Sequence, residues 1–175
     1  MEELIDLYDV DRKPIGKTIP REGAFLGEGE YMLYVLAIVQ DVEGRYLITQ
    51  RSMDKHWAAG WWEVTGGGVL SGETSAQAVE REVREEVGLD VSGEVLEPVW
   101  SYRNVDLERG DNYIVDIYHF HLDACEDDVT LQASEAIGCA FATWEEIEDL
   151  AEQGVFLHFS RLRQALEAEG VLAAG

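Results

Sequence analysis

Positive charge is scarce in this chain of 175 residues. Lysine and arginine together number 13, against 36 aspartate and glutamate residues, and the formal net charge is −23 at pH 7. Such a chain repels nucleic-acid phosphates and anionic membrane surfaces unless a local basic patch intervenes. We therefore expect neither a nucleic-acid polymer nor a membrane among its partners.

Long hydrophobic runs are also missing. No apolar segment approaches the roughly 20 residues of a transmembrane helix, and no cationic start precedes an apolar stretch as in a secretion signal. This pattern predicts a cytoplasmic location. Hydrophobic residues still make up 46% of the chain, which suits one globular domain over residues 1–175 with a core of its own.

Cysteine is limited to Cys125 and Cys139, whose spacing fits neither a metal-ligand nor a redox motif. We expect two buried free thiols rather than a disulfide. His119 and His121 share one face of a predicted strand, but no third nitrogen or sulfur ligand has matching spacing. Packing or hydrogen bonding, rather than zinc binding, is the expected role of these histidines.

Residues 74–87 form the clearest helix in the sequence. Thr74 and Gln77 make a capping-box pattern at its start, and Gly88 after its end can take the left-handed conformation that stops a helix. Apolar residues recur at three- and four-residue spacing and predict one buried stripe. The predicted stripe consists of Ala76, Val79, Val83 and Val87.

Strand-like segments surround this helix. The predicted strands are 4–8, 15–19, 31–39, 45–50, 94–105, 113–122 and 140–143, and the other predicted helices are 144–153 and 160–169. The first two strands would pair as a hairpin in an N-terminal extension, residues 1–30, and the next two as a hairpin turning at residues 41–44. This order predicts an α/β/α sandwich around a mixed sheet.

Three glutamates, Glu82, Glu85 and Glu86, gather on a face of the helix beside the apolar stripe. Side chains at these spacings lie roughly 5 to 6 Å apart, so like charges there repel one another. Carboxylate oxygens are the ligands that Mg²⁺ and Mn²⁺ prefer, and a bound cation would turn the repulsion into attraction. The alternative is a solvated acidic face, which a chain this acidic could supply.

Three consecutive glycines, Gly66, Gly67 and Gly68, follow the apolar segment 61–64 and precede the helix. Glycine allows positive φ and close approach of the backbone to a ligand. A backbone carbonyl near Gly66 or Gly67 could therefore complete the coordination of a metal ion. A plain turn between strand and loop is the simpler explanation of the glycines, and the two are compatible.

The segment 67–89 resembles the Nudix box of the Nudix hydrolases, written G-x₅-E-x₇-R-E-U-x-E-E-x-G-U with U an aliphatic residue. Every prescribed position is filled: Gly67, Glu73, Arg81, Glu82, Val83, Glu85, Glu86, Gly88 and Leu89. With residues drawn at average frequencies, a match in a chain this short would occur roughly once in a million trials. Chance is a poor explanation of the pattern.

The resemblance implies the Nudix fold, an α/β/α sandwich with a central mixed sheet. It also implies a function, since the family hydrolyses diphosphate bonds in nucleoside diphosphates linked to another group and uses a divalent metal. The substrate would be a small-molecule diphosphate, the cofactor Mg²⁺ or alternatively Mn²⁺, and a homodimer is common among relatives.

Roles follow for the residues of the box. Carried over by position, Glu82, Glu85 and Glu86 would hold the metal, with one of them or a later acid as base for the attacking water. Glu73 and Arg81 would form the ion pair that holds the loop to the helix. The metal site would include Gly66, and Gly67 and Gly68 would lie beside the substrate.

Candidates outside the box carry weaker signals. Glu135 stands shortly before a predicted strand, where relatives often place a glutamate that reaches the metals or activates water. Acids nearby leave that assignment open: Asp123, Glu126, Asp127 and Asp128. Arg51 and Lys55 precede the catalytic loop and suit substrate phosphates, with ion pairs at the surface as the alternative.

Three tryptophans flank the same loop. Trp57, Trp61 and Trp62 could stack on a base or line a pocket, but buried aromatic residues belong more often to the core. We therefore expect these tryptophans to pack inside the protein.

The N-terminal segment 6–12 and the triplet 16–18 resemble Nudix hydrolases that are similar to isopentenyl-diphosphate isomerase. The isomerase itself is an alternative function. The resemblance implies that it needs a cysteine near Thr65 and a histidine-rich metal site, whereas Cys125 and Cys139 lie far from Thr65 in sequence. Thr65 also replaces the proline of many family members.

A nucleotide-sensing module without catalysis is a third possibility, although a Nudix domain that has lost catalysis has usually also lost a glutamate of the box.

Overall fold

The computed structural model describes residues 1–175, which form nine strands and three α-helices. The strands are β1 (Leu4–Tyr8), β2 (Pro14–Pro20), β3 (Met32–Gln40), β4 (Tyr46–Arg51), β5 (Trp62–Glu63), β6 (Thr65–Gly68), β7 (Trp100–Asn104), β8 (Tyr113–His121) and β9 (Ala136–Ala142). The helices are α1 (Ser75–Val87), α2 (Trp144–Glu152) and α3 (Phe159–Ala168), and a 3₁₀ turn covers Glu126–Asp128.

Seven strands form the central sheet, in the order β5-β4-β3-β8-β7, with β6 paired to β3 and β9 paired to β4. β3 and β8 are parallel along their whole length, whereas every other pairing is antiparallel. The predicted mixed sheet is therefore confirmed. One edge of β3 is shared, because β6 pairs with residues 34–37 and β4 joins only at Gln40.

Hydrophobic side chains alternate along the central strands and fill a core on each face of the sheet. On one face Val35 and Tyr118 pack with Val79 and Val83 of α1. On the other face lies a second cluster, which includes Ile38, Ile117, Ile147 of α2, and Leu162 and Leu166 of α3. This period-two alternation confirms the predicted sandwich, because each strand must supply both layers.

The predicted start and end of α1 are confirmed. Thr74 accepts a hydrogen bond from the Gln77 backbone N–H, the Gln77 side chain accepts one from the Thr74 N–H, and Gly88 has φ of 70°. The predicted apolar stripe is partly wrong, because Ala78 is fully buried and Ala76 only half-buried. α1 packs against β6 as well as β3, so its buried side is shifted toward Ala78 and Glu82.

Other boundaries also differ from prediction. Predicted strand 94–105 forms only at Trp100–Asn104, since Pro98 lacks the N–H needed to extend the ladder. The last strand is longer than predicted and runs over Ala136–Ala142. The turn expected at the three glycines is wrong, because Gly66, Gly67 and Gly68 belong to β6 and pair with β3.

The cysteines are free, as expected, but they are not both buried. Cys125 is exposed and Cys139 is half-buried. Cys125 donates its N–H to the carboxylate of Asp128 and immediately precedes the acidic 3₁₀ turn, whose three residues are all exposed. The hydrogen-bonding role of His119 is confirmed: its ring nitrogens lie 2.7 Å from a Glu169 carboxylate oxygen and 2.8 Å from the Gln40 side-chain oxygen.

The N-terminal hairpin, β1 with β2, forms a separate two-stranded sheet. It is joined to the main sheet by an isolated bridge from Tyr8 to Tyr31 and by a small core of Ile5, Leu7, Leu26 and Met32. None of the helices has the length and hydrophobicity needed to cross a membrane. The cytoplasmic location and the assignment of residues 1–175 to one domain remain predictions.

Candidate active site

A cleft of about 760 Å³ opens beside β6 and the acidic side of α1. Its lining includes most of the site residues predicted from the sequence: Arg51, Lys55, Gly66, Gly67, Arg81, Glu82, Glu85, Glu86 and Glu135. Glu73 and Gly68 are not part of this lining. The fold thus brings together segments 51–55, 66–67, 81–86 and 135, which are widely separated in sequence.

Residues of β6 position the side chains of the helix glutamates in the cleft. Thr65 at the start of β6 donates a hydrogen bond from Oγ1 to Glu86 at 2.6 Å, and the Gly66 N–H adds a longer one at 3.4 Å. The Glu82 carboxylate packs so closely on Gly67 that a Cβ there would lie 2.3 Å from Glu82 Oε1. Any side chain at this position would displace the Glu82 carboxylate from the space that it occupies.

Burial shapes the acidity of the two inner glutamates. Burial raises the pKa of Glu86 to about 7, the hydrogen bond from Thr65 acts against this rise, and the negative charge of Glu82 adds to it. Burial also raises the pKa of Glu82, with the hydrogen bond and the charge of Arg81 opposing the rise. Two partly desolvated carboxylates therefore repel each other, and a bound cation would remove this repulsion.

Arg81 and Glu73 form the expected ion pair. Arg81 Nε donates to Glu73 Oε1 at 2.6 Å and Nη2 donates to Oε2 at 2.9 Å. Nη2 also bonds the Gly68 carbonyl, and Glu73 accepts the Leu70 N–H. This bidentate pair ties the loop after β6 to α1, with Glu73 behind the cleft rather than in it.

The three helix glutamates line the same cleft but do not point at one centre. No three acidic, histidine or cysteine side chains lie close enough together to hold a single ion. Arg81 Nη1 lies 2.8 Å from Glu82 and 3.3 Å from Glu85, whereas Glu86 turns toward Thr65. The donor set nevertheless fits a hard cation, because it offers three carboxylates, two of them on the inner glutamates Glu82 and Glu86, beside a glycine.

Two cations also line the cleft. Arg51 Nη1 pairs with Glu63 at 3.1 Å and Nη2 donates to the Trp57 carbonyl, while its Nε is buried without a partner. Lys55 Nζ lies 2.5 Å from a carboxylate oxygen of Glu135. Arg51 and Lys55 are therefore both ion-paired and both line the cleft, and their contact with substrate phosphates stays a prediction.

Trp57 corrects the expectation for the tryptophans. Its side chain is 62% exposed, lines the cleft and stacks with Arg51, whose guanidinium lies 5.5 Å from the ring centre. The loop between β4 and β5 carries it away from the sheet and out of the core. Trp61 and Trp62 are half-buried, and Trp62 packs against the core beneath α2 and α3.

Several cleft residues carry no signal in the sequence. Tyr34, Tyr102, Tyr113, Arg21 and His158 all line the cleft. Tyr34 and Tyr113 meet edge to face with ring centres 5.6 Å apart, because the parallel pairing of β3 and β8 places Tyr113 diagonally across from Tyr34, beside Met32. Only the register of that long-range pairing could have identified them.

We predict that Glu73→Gln weakens the loop after β6 more than it weakens catalysis. Loss of the charged hydrogen bonds to Arg81 should lower the free energy of unfolding by about 1 to 3 kcal/mol and raise amide exchange in residues 68–73. Urea unfolding and hydrogen exchange measure these effects. Glu80→Gln is the matched control, because it breaks an exposed pair with Arg84 on the same helix and should cost less than about 1 kcal/mol. Equal losses in the two variants would contradict the role of Glu73.

The half-buried Glu86 predicts a pH effect on the metal-free protein. Its pKa is about 7 in the folded state against 4.5 ordinarily, so between these values the folded chain binds a proton that the unfolded chain has released. The Glu86 contribution to stability therefore falls as pH rises from 4.5 to 7, by up to about 3 kcal/mol. Measured in EDTA, Glu86→Gln should gain stability relative to the native chain across this range, with Glu85→Gln as the control for loss of one charge. A difference independent of pH would refute the prediction.

Comparison with known proteins agrees with this geometry. Residues 30–164 match the family model of the NUDIX domain. An uncharacterized Nudix hydrolase of Listeria monocytogenes is 35% identical over 165 residues, or 94% of this chain and 93% of the relative. The crystal structure of DR0079 from Deinococcus radiodurans covers 86% of this chain and 90% of its own, with a TM-score of 0.65 and 22% identity.

A second solved structure shares the fold over a smaller part of its own chain. It is a bifunctional NMN adenylyltransferase/ADP ribose pyrophosphatase from Francisella tularensis, complexed with AMP and a Mn ion. The match covers 78% of this chain and 41% of that one, with a TM-score of 0.61 and 22% identity.

Proposed function

Since the chain belongs to the Nudix family and is a pyrophosphohydrolase of that family, we propose that it cleaves a diphosphate bond in a nucleoside diphosphate linked to another group, or in a similar pyrophosphate. One observation carries the proposal: the acids of α1 and the cations of segment 51–55 line one cleft. A diphosphate needs both, because its oxygens are negative and its hydrolysis builds further charge.

The cofactor in this proposal is Mg²⁺ or Mn²⁺, held by Glu82, Glu85 and Glu86 with a backbone carbonyl at Gly66. When bound, such a cation neutralises diphosphate oxygens and lowers the pKa of a bound water. The oxygen donors support this choice, and so does the Mn ion in the Francisella tularensis structure. Arg81 can release Glu82 and Glu85 without losing its own anchor, because it remains paired with Glu73.

Glu135 is our candidate for the proton acceptor. A carboxylate that donates to a cation is a weaker base, so an acid outside α1 suits the removal of a proton from water. Glu135 lines the cleft and is oriented by Lys55. Lys55 and Arg51 in turn bind phosphate oxygens and offset the charge of the leaving group.

The isomerase alternative has no support in the geometry. Neither Cys125 nor Cys139 lines the cleft, and His158 is its one histidine. Thr65, where the resemblance implies a cysteine, donates its hydroxyl to Glu86. The sensor alternative is also disfavoured, because all three helix glutamates are present and face the cleft.

A substrate panel tests the proposed function. Purified protein with Mg²⁺ is incubated with nucleoside diphosphate sugars, dinucleoside polyphosphates, oxidised nucleotides and isopentenyl diphosphate. Release of phosphate or a nucleoside monophosphate is the expected result. Isomer formation without release would instead identify an isomerase, and binding without turnover would identify a sensor. The homodimer and the cytoplasmic location remain predictions, for light scattering and cell fractionation to test.

A further inference from the structure

The N-terminal hairpin lies outside the matched family domain but inside the cleft. The NUDIX match begins at residue 30, whereas Glu3 and Arg21 both belong to the cleft lining. Arg21 stands directly after β2 and donates its backbone N–H to the Glu3 carbonyl. The hairpin therefore adds to the cleft lining a cationic side chain that the matched domain does not contain.

The hairpin is held firmly against the catalytic loop. Asp6 accepts hydrogen bonds from the Ser71 hydroxyl at 2.8 Å and the Gly72 N–H at 2.9 Å. Arg12 makes a bidentate pair with the fully buried Asp116 of β8, which also accepts a hydrogen bond from Ser75 at the start of α1. These contacts fix the hairpin relative to both the loop before α1 and the helix itself.

Arg21 occupies the end of β6 opposite the other cations. Its guanidinium lies 5.7 Å from the centre of the Tyr34 ring and about 3.3 Å from where a Cβ of Gly68 would stand. Gly68 is the last residue of β6, whereas Arg51 pairs with Glu63, just before the first. A substrate lying along β6 would thus meet positive charge at both ends, with the helix acids between.

The present partner of Arg21 leaves it available for a substrate. Arg21 pairs with Glu3 at 2.9 Å, but the Glu3 side chain is 53% exposed, and ion pairs so open to water contribute little. A guanidinium that lines the cleft and is free to exchange its partner suits a phosphate oxygen.

We propose that Arg21 binds a phosphate oxygen of the substrate, so that the N-terminal hairpin completes the active site. Gly68 has a role here as well, since its missing side chain makes room for the Arg21 guanidinium. This inference rests on the proposed function for its substrate class, a small-molecule diphosphate. Arg21 binds and orients the diphosphate and takes no part in proton transfer.

Binding of methylenediphosphonate tests the inference without requiring turnover. This probe replaces the bridging oxygen of diphosphate by a methylene group and cannot be hydrolysed. Titration calorimetry with Mg²⁺ should show affinity reduced roughly tenfold to a hundredfold in Arg21→Ala, and partly restored in Arg21→Lys. The same variants should raise KM for the best substrate of the panel more than they lower kcat.

A matched control isolates the contact. Arg103→Ala removes an exposed arginine that also stacks on a tyrosine, Tyr31, but lies outside the cleft. This variant should bind the probe within about twofold of the native chain. Native affinity in Arg21→Ala, or no binding by the native chain, would overturn the inference. Native binding of the probe without hydrolysis of any substrate would instead count against the proposed function alone.

Discussion

Glutamine in place of Glu86 or Glu85 should lower kcat by about two to four orders of magnitude, because each change removes a proposed oxygen ligand of the metal. The fold should survive both changes. Without metal, Glu86→Gln should be more stable than the native chain, since it removes a buried charge and its repulsion with Glu82. Steady-state kinetics and urea unfolding in EDTA measure the two effects.

Controls on the same cleft separate metal binding from proton transfer. Glu80→Gln alters a half-buried α1 glutamate outside the cleft and should keep native turnover. Glu135→Gln should lower kcat but leave Mg²⁺ affinity near its native value, because Glu135 is proposed as base rather than ligand. Near-normal turnover in both Glu85→Gln and Glu86→Gln would contradict the metal assignment. Loss of metal affinity in Glu135→Gln would contradict its separate role.

Alanine at two adjacent glycines of β6 should produce opposite failures. In Gly67→Ala the new Cβ would lie 2.3 Å from the Glu82 carboxylate, a flexible group that can move away. In Gly66→Ala it would lie 2.2 Å from the backbone carbonyl of Val35, which cannot move without breaking the pairing of β3 and β6. We therefore expect Gly67→Ala to stay folded but lose at least about tenfold in Mg²⁺ affinity, and Gly66→Ala to lose about 1 to 3 kcal/mol or more of stability.

Gly93→Ala is the control for this pair. No atom lies within 4 Å of its would-be Cβ and its φ is not positive, so the change should be neutral or slightly stabilising. Thermal unfolding and Mg²⁺ titration on the three variants check the prediction. Native metal affinity in a folded Gly67→Ala would show that Glu82 needs no glycine beside it.

Much of this site can be predicted from local sequence patterns. The capping residues and the spacing of Glu82, Glu85 and Glu86 predict α1 and its acids, because a helix relates residues a few positions apart. The ion pair of Glu73 with Arg81 also follows from the family resemblance within one short segment. Sequence reasoning reaches these features because loop and helix are adjacent in the chain.

Features that depend on distant pairing are not predictable in this way. Glycines disfavour strands, so β6 looks like a turn until β3 is placed beside it. The hydrogen bond from Thr65 to Glu86 and the approach of Arg21 to the cleft need the packing of three separate elements. The exposure of Trp57 is unpredictable for a similar reason, since composition cannot show which aromatic residue a loop carries outward.

The parallel pairing of β3 with β8 has a consequence for how the enzyme is made. Residues 32–40 cannot complete this pairing until residues 113–121 have left the ribosome, which happens much later. Closing so long a loop is entropically costly and slows folding, and the segment that carries α1 lies inside it. A nascent chain that ends before β8 therefore leaves this edge of β3 unpaired, so catalytic competence should emerge only after β8 has been synthesised.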